Sequence, residues 1–99
     1  MAHKLMAFNN EGKLSDTIDK ARVFVVVKEG NPVRVRTDGV FDIEMYGPFN
    51  IGDYVAGKSN NINDNIIAIS LPPVDKPRYS HNIVGRIVGK DNKIAKVLI

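Results

Sequence analysis

Short bursts of apolar–polar alternation, each broken within a few residues by glycine, proline or asparagine, limit this chain more than any other feature. Val33-Arg34-Val35-Arg36 alternates cleanly, and Phe41, Ile43 and Met45 stand opposite Asp42 and Glu44 in the next run. A period of two places alternate side chains on opposite faces of a β-strand, one dry and one wet. Twelve valines, eleven isoleucines and two threonines make 25 β-branched residues, the class suited to a pleated surface. Eight glycines, five prolines and ten asparagines interrupt them, so no run is long. The pattern predicts an all-β fold, a small antiparallel barrel or sandwich of six to eight short strands, with at most one short helical turn.

The expected strands follow from the runs. Residues 3–8 form the first and end at the turn cluster Asn9-Asn10-Glu11-Gly12. Residues 13–21 alone have helical character, with Ser15 or Asp16 as cap and Leu14 and Ile18 turned inward; a helical turn and an irregular loop are equally compatible. Residues 1–20 can also be read as an N-terminal arm on a single domain spanning 1–99. Residues 21–28 carry apolar groups on both faces and pair as a hairpin with 33–36. Strands are expected at 40–46, after the Gly52-Asp53 turn, and at 66–71, with 58–65 an exposed polar loop and 72–81 a stiff, proline-rich connection. Residues 83–89 and 94–99 close the chain as a hairpin, since Asp91 and Asn92 tolerate positive φ. Gly85 and Gly89 fall where backbones approach or a bulge forms.

Ninety-nine residues make one domain. With no cysteine there is no disulfide, thiolate metal site or cysteine nucleophile. The longest apolar run, 23–27, is far too short to span a bilayer, and the first residues lack the apolar stretch of a secretory signal. The net charge of +3 arises entirely in residues 50–99, from seven basic against four acidic groups, scattered as single side chains.

Chemistry-bearing constellations are sparse. His3 and His81 are the only imidazoles, and neither belongs to a spaced pair of metal ligands. Ser59 beside Lys58 would need a buried lysine to act as a dyad, and that stretch reads as wet. The aspartates sit mostly at turns, which accounts for them. No catalytic residue, metal site or cofactor is assigned, and the reading is non-enzymatic.

Binding is the better prospect. Met6, Phe8, Phe49, Tyr54, Tyr79 and Ile99 lie near turns, loops or the chain end, where a monomer has difficulty covering them. They are the candidate interface. The alternative is an OB-like nucleic-acid-binding module. Its groove would be lined by Arg34, Arg36 and Arg86, with Phe24, Phe41, Tyr46 or Tyr54 as stacking platforms.

The second half resembles a short β module of tailed-bacteriophage virion proteins, found in fibre termini and small capsid auxiliary proteins. The matching residues are Ile51-Gly52-Asp53-Tyr54-Val55, Lys58-Ser59-Asn60, Ile83-Val84-Gly85-Arg86-Ile87 and Lys96-Val97-Leu98-Ile99. The resemblance covers residues 33–99; a glycine expected soon after the serine is missing. It implies a structural virion protein, a capsid auxiliary or decoration subunit present in multiple symmetric copies or as a homo-oligomer. Its partners would be the major capsid protein or other virion subunits; no membrane partner is expected, and nucleic acid belongs to the alternative reading.

Overall fold

The computed structural model describes residues 2–18, 22–28, 33–36, 38–60, 62, 65–75 and 82–99. Among the described residues nine strands follow one another, one more than the six to eight expected: β1 (Lys4–Phe8), β2 (Leu14–Ser15), β3 (Val23–Lys28), β4 (Val33–Arg36), β5 (Val40–Glu44), β6 (Tyr54–Ser59), β7 (Ile66–Leu71), β8 (Ile83–Asp91) and β9 (Ile94–Leu98). They build two antiparallel sheets, a four-stranded one in the order β2-β1-β3-β4 and a five-stranded one in the order β5-β9-β8-β6-β7. The all-β, antiparallel expectation holds. Residues 73–75 form a 3₁₀ turn, closed by Asp75 N–H donating to the Pro72 carbonyl at 2.9 Å. No described helix is long and apolar enough to cross a membrane.

Alternation decides the faces. Phe41 pairs with Val97 and Ile43 with Ala95 on the buried side, while Val40–Leu98, Asp42–Lys96 and Glu44–Ile94 face outward. A slip of one residue would send the whole buried set into water, so burial locks this register. The core joins both sheets: Leu5, Val23 and Val25 from the smaller one meet Ile43, Val55, Ile87 and Val97 from the larger.

The larger sheet closes on itself. Met45, just past β5, forms a parallel bridge with Ala68 of β7, and Tyr46 N–H donates to the Ala68 carbonyl at 2.8 Å. His3 bridges Ile43 on the same edge of β5, its N–H donating to the Asp42 carbonyl at 2.7 Å. The two end strands thus find partners, which removes most of the open edge that would invite another chain.

Two irregularities shape β8. Val55 and Ala56 oppose Gly85 and Ile83, so Val84 is skipped in the pairing with β6; Ile87 and Gly89 oppose Val97 and Lys96, so Val88 is skipped in the pairing with β9. Both bulges adjoin the expected glycines. At Gly85 there is no room for a side chain: a Cβ would run into the carbonyl oxygen of Leu98.

Three expectations are corrected. Residues 13–18 hold no helical turn: Leu14 and Ser15 pair with Phe8 and Ala7, and the Ser15 hydroxyl accepts the Thr17 N–H at 3.2 Å. That local bond competes with helix formation. Nor do residues 2–18 form an arm, since β1 lies between β2 and β3 inside the smaller sheet and buries Leu5 and Ala7; the rest of the expected arm lies outside the described residues. Lys58 and Ser59 belong to β6 rather than to an exposed loop, because they pair with Ile67 and Ile66.

Candidate interaction surfaces

Outward-facing apolar groups collect in two places. On the smaller sheet, Met6 stands directly opposite Phe24 and Phe8 opposite Leu14, while Lys4 stands opposite Val26, which is buried although it shares this face. This face lies opposite the core-directed pairs Leu5–Val25 and Ala7–Val23. The Phe8 and Phe24 rings meet edge to face, 5.1 Å between centres at 68°. Met6, Phe8, Leu14 and Phe24 are all half-buried. The turn leading from β1 to β2 is built on Asn9, whose Oδ1 accepts the Glu11 N–H at 2.9 Å and the Lys13 N–H at 3.0 Å. That turn sets Leu14 beside Phe8.

On the larger sheet a row runs across all five strands, from buried Leu71 at one edge to exposed Val40 at the other. Leu71 pairs with Tyr54, Tyr54 with Arg86, Arg86 with Leu98 and Leu98 with Val40. Val40 is 56% and Leu98 50% exposed. The Arg86 guanidinium lies 5.8 Å from the centre of the Tyr54 ring, and its Nε donates to the Gly52 carbonyl at 3.3 Å. Gly52 has φ +99°, and its turn is clamped on β8: Gly52 N–H donates to the Ile87 carbonyl at 2.9 Å, and Ile87 N–H to the Asp53 carbonyl at 2.8 Å. The Asp53 carboxylate accepts the Asn50 N–H at 3.1 Å and the Ser70 hydroxyl at 2.7 Å.

A third feature is an open cleft of about 340 Å³ where β1 leaves the edge of β5 and β7 joins it. His3, Lys4, Glu44, Tyr46 and Ile67 are among its lining. The His3 ring packs edge-on to Phe41 at 5.2 Å, and its Nδ1 lies 3.4 Å from the Asp42 carbonyl oxygen. Among the described residues no group of three His, Asp or Glu side chains is gathered to hold a metal ion.

The expected interface residues fare unequally. Met6 and Phe8 share one face, and Phe24 joins them although the sequence placed it as a stacking platform. Phe49 is withdrawn: it is 4% exposed and part of the core, with Lys90 Nζ 4.9 Å above its ring and donating to its carbonyl at 2.9 Å. The residue sits beside a loop, but the chain folds it inward. Tyr54 is half-buried on the other sheet. Ile99 packs against the core, its N–H donating to the Gly39 carbonyl at 2.9 Å. Tyr79 and His81 lie outside the described residues.

The nucleic-acid set does not converge on one sheet. Arg34 and Arg36 belong to β4 of the smaller sheet, where the structure describes their backbone alone, and Arg86 belongs to the larger. Phe41, offered as a platform, is 7% exposed and in the core, whereas Tyr46 is 64% exposed. Sequence reasoning missed Val40 and Leu98. The signal was present: each shares strand parity with charged, outward residues, Asp42 and Lys96 respectively. Comparison of the chain with family models, with curated proteins and with solved structures finds no match in any of the three.

Proposed function

We propose that this chain is a non-enzymatic structural subunit that docks onto a larger assembly through the outer face of its smaller sheet. The observation that carries the reading is the half-buried Met6–Phe24 pair with the Phe8 ring edge-on to Phe24, on the side of the sheet opposite Leu5 and Val25. An apolar sheet face of this kind gains by burial against a partner, at about 25 cal/mol per Å² removed from water before association entropy is subtracted. A virion is the assembly that the sequence resemblance implies, and it alone supports that placement. Repeated copies on a symmetric shell would make a modest single contact effective through avidity.

A pull-down of the tagged chain from phage-infected lysate tests this. Shell or fibre proteins at near-stoichiometric yield, surviving a high-salt wash and lost with the Met6→Lys/Phe8→Lys variant, are the expected result. A retained complex with that variant would overturn the docking face. Recovery of nucleic acid that washes off with salt would instead favour the second reading. That reading draws its support from the pairing of an exposed guanidinium, Arg86, with the Tyr54 ring.

A further inference from the structure

Along β5 and β9 the outer face of the five-stranded sheet changes in charge from row to row. Val40, Leu98, Arg86 and Tyr54 form one row. Two residues along, Lys96 is neutralised by Asp42, Nζ to Oδ1 3.1 Å. Two further on, Glu44 and Asp91 flank Ile94. At about 3.4 Å per residue the acidic row lies roughly 14 Å from the arginine row.

From this arrangement we infer that the Arg86 row is a docking site for a protein segment presenting one carboxylate beside an apolar side chain. Arg86 is oriented on two sides, by the Gly52 carbonyl at Nε and by the Tyr54 ring, which lowers the freedom it loses on binding. Among the described residues its two terminal amino groups have no partner, and a guanidinium fork matches a carboxylate with two parallel hydrogen bonds. Leu98 and Val40, both about half exposed, supply the apolar neighbour. Tyrosine and arginine together are also the residue types that anchor protein interfaces. A phosphate backbone tracking the sheet past Arg86 toward Ile94 would meet Glu44 and Asp91, whereas toward β6 it would meet Lys58, so the preference for a single carboxylate rests on the guanidinium fork and its apolar neighbours. This site is distinct from the smaller-sheet face and does not depend on it.

The test is a titration of the full ¹⁵N-labelled chain with 4-methylvalerate, its neutral amide, and a short oligothymidylate, following the Arg86 Nε–H and the Leu98 and Val40 amide signals. The expected result is saturable shifts with 4-methylvalerate, roughly tenfold weaker binding of the amide, and a several-fold loss in Arg86→Lys, which keeps the charge but not the fork. The amide spectrum of that variant reports whether its fold is intact. Absence of saturable shifts, equal binding of the amide, or an undiminished response in Arg86→Lys would overturn the proposal. Tighter, steeply salt-dependent oligothymidylate binding at the same signals would overturn it in favour of nucleic acid.

Discussion

Gly57 of β6 lies so close to Val23 of β3 that a Cβ at the glycine would stand 2.7 Å from Val23 Cγ2 and 2.9 Å from Cγ1. The smaller sheet therefore rests directly on the backbone of the larger one at this point. Its outer face is positioned by that contact, since β3 carries Val23 and Val25 inward and Phe24 on the other side.

Gly57→Ala should cost about 1–3 kcal/mol, the usual range for overpacking a tight core. Val23→Ala removes the obstructing methyls. The double variant should lose less than the sum of the two singles, with coupling of about 0.5–3 kcal/mol in a denaturant-unfolding cycle. Additive losses would show that the two sheets part here without penalty.

Gly85 and Gly89 are both beside bulges, yet they should respond differently to alanine. At Gly85 the new methyl meets a backbone carbonyl, that of Leu98, which cannot move without breaking the β8–β9 ladder. At Gly89 the nearest atoms, 3.1–3.3 Å away, belong to the flexible side chain of Lys96. Gly85→Ala should lose about 2 kcal/mol or more, while Gly89→Ala stays within about 1 kcal/mol. Urea midpoints of the two variants check the order.

Asn9→Ala should lower stability by about 1 kcal/mol, because its side chain satisfies two backbone N–H groups of the β1–β2 turn. For a domain of this size that is a fall in Tm of roughly 4–8 °C. Asn9→Asp retains the acceptor and should restore most of the loss. Thermal unfolding of the two variants separates the hydrogen bond from the side chain's bulk.

The Lys96–Asp42 pair should contribute little. Its side chains are 54% and 42% exposed, and an ion pair so open to water is worth about 0–1 kcal/mol. Asp42→Asn should leave the urea midpoint nearly unchanged at moderate salt. A larger loss would mean that the pair holds the β5–β9 register rather than decorating it.

Much of the fold was legible because its rules are local. Alternation at 40–46 assigned Phe41, Ile43 and Met45 to the core, and all three are buried. The residues suited to turns were read off directly: Gly12 and Gly52 adopt positive φ, and so does Asn92 in the last hairpin. The candidate surfaces were harder to see. Met6 and Phe8 were recognised by their surroundings, but their partner Phe24 comes from another strand, through a register the sequence does not state.

By itself the sequence determined most of the strand segments, which of their faces is apolar, and where the chain can turn, though not the short β2 or the end of β6. Side-chain period and backbone sterics act within a few residues, so these properties are written in neighbours. The tertiary structure decided the rest: that Met45 closes the larger sheet on Ala68, that Phe49 goes inward, and that residues 40, 54, 86 and 98 form one row. Those outcomes depend on pairing between strands far apart in the chain and on two bulges that reset their register. Such pairing is selected by burial of the whole core, not by any one segment.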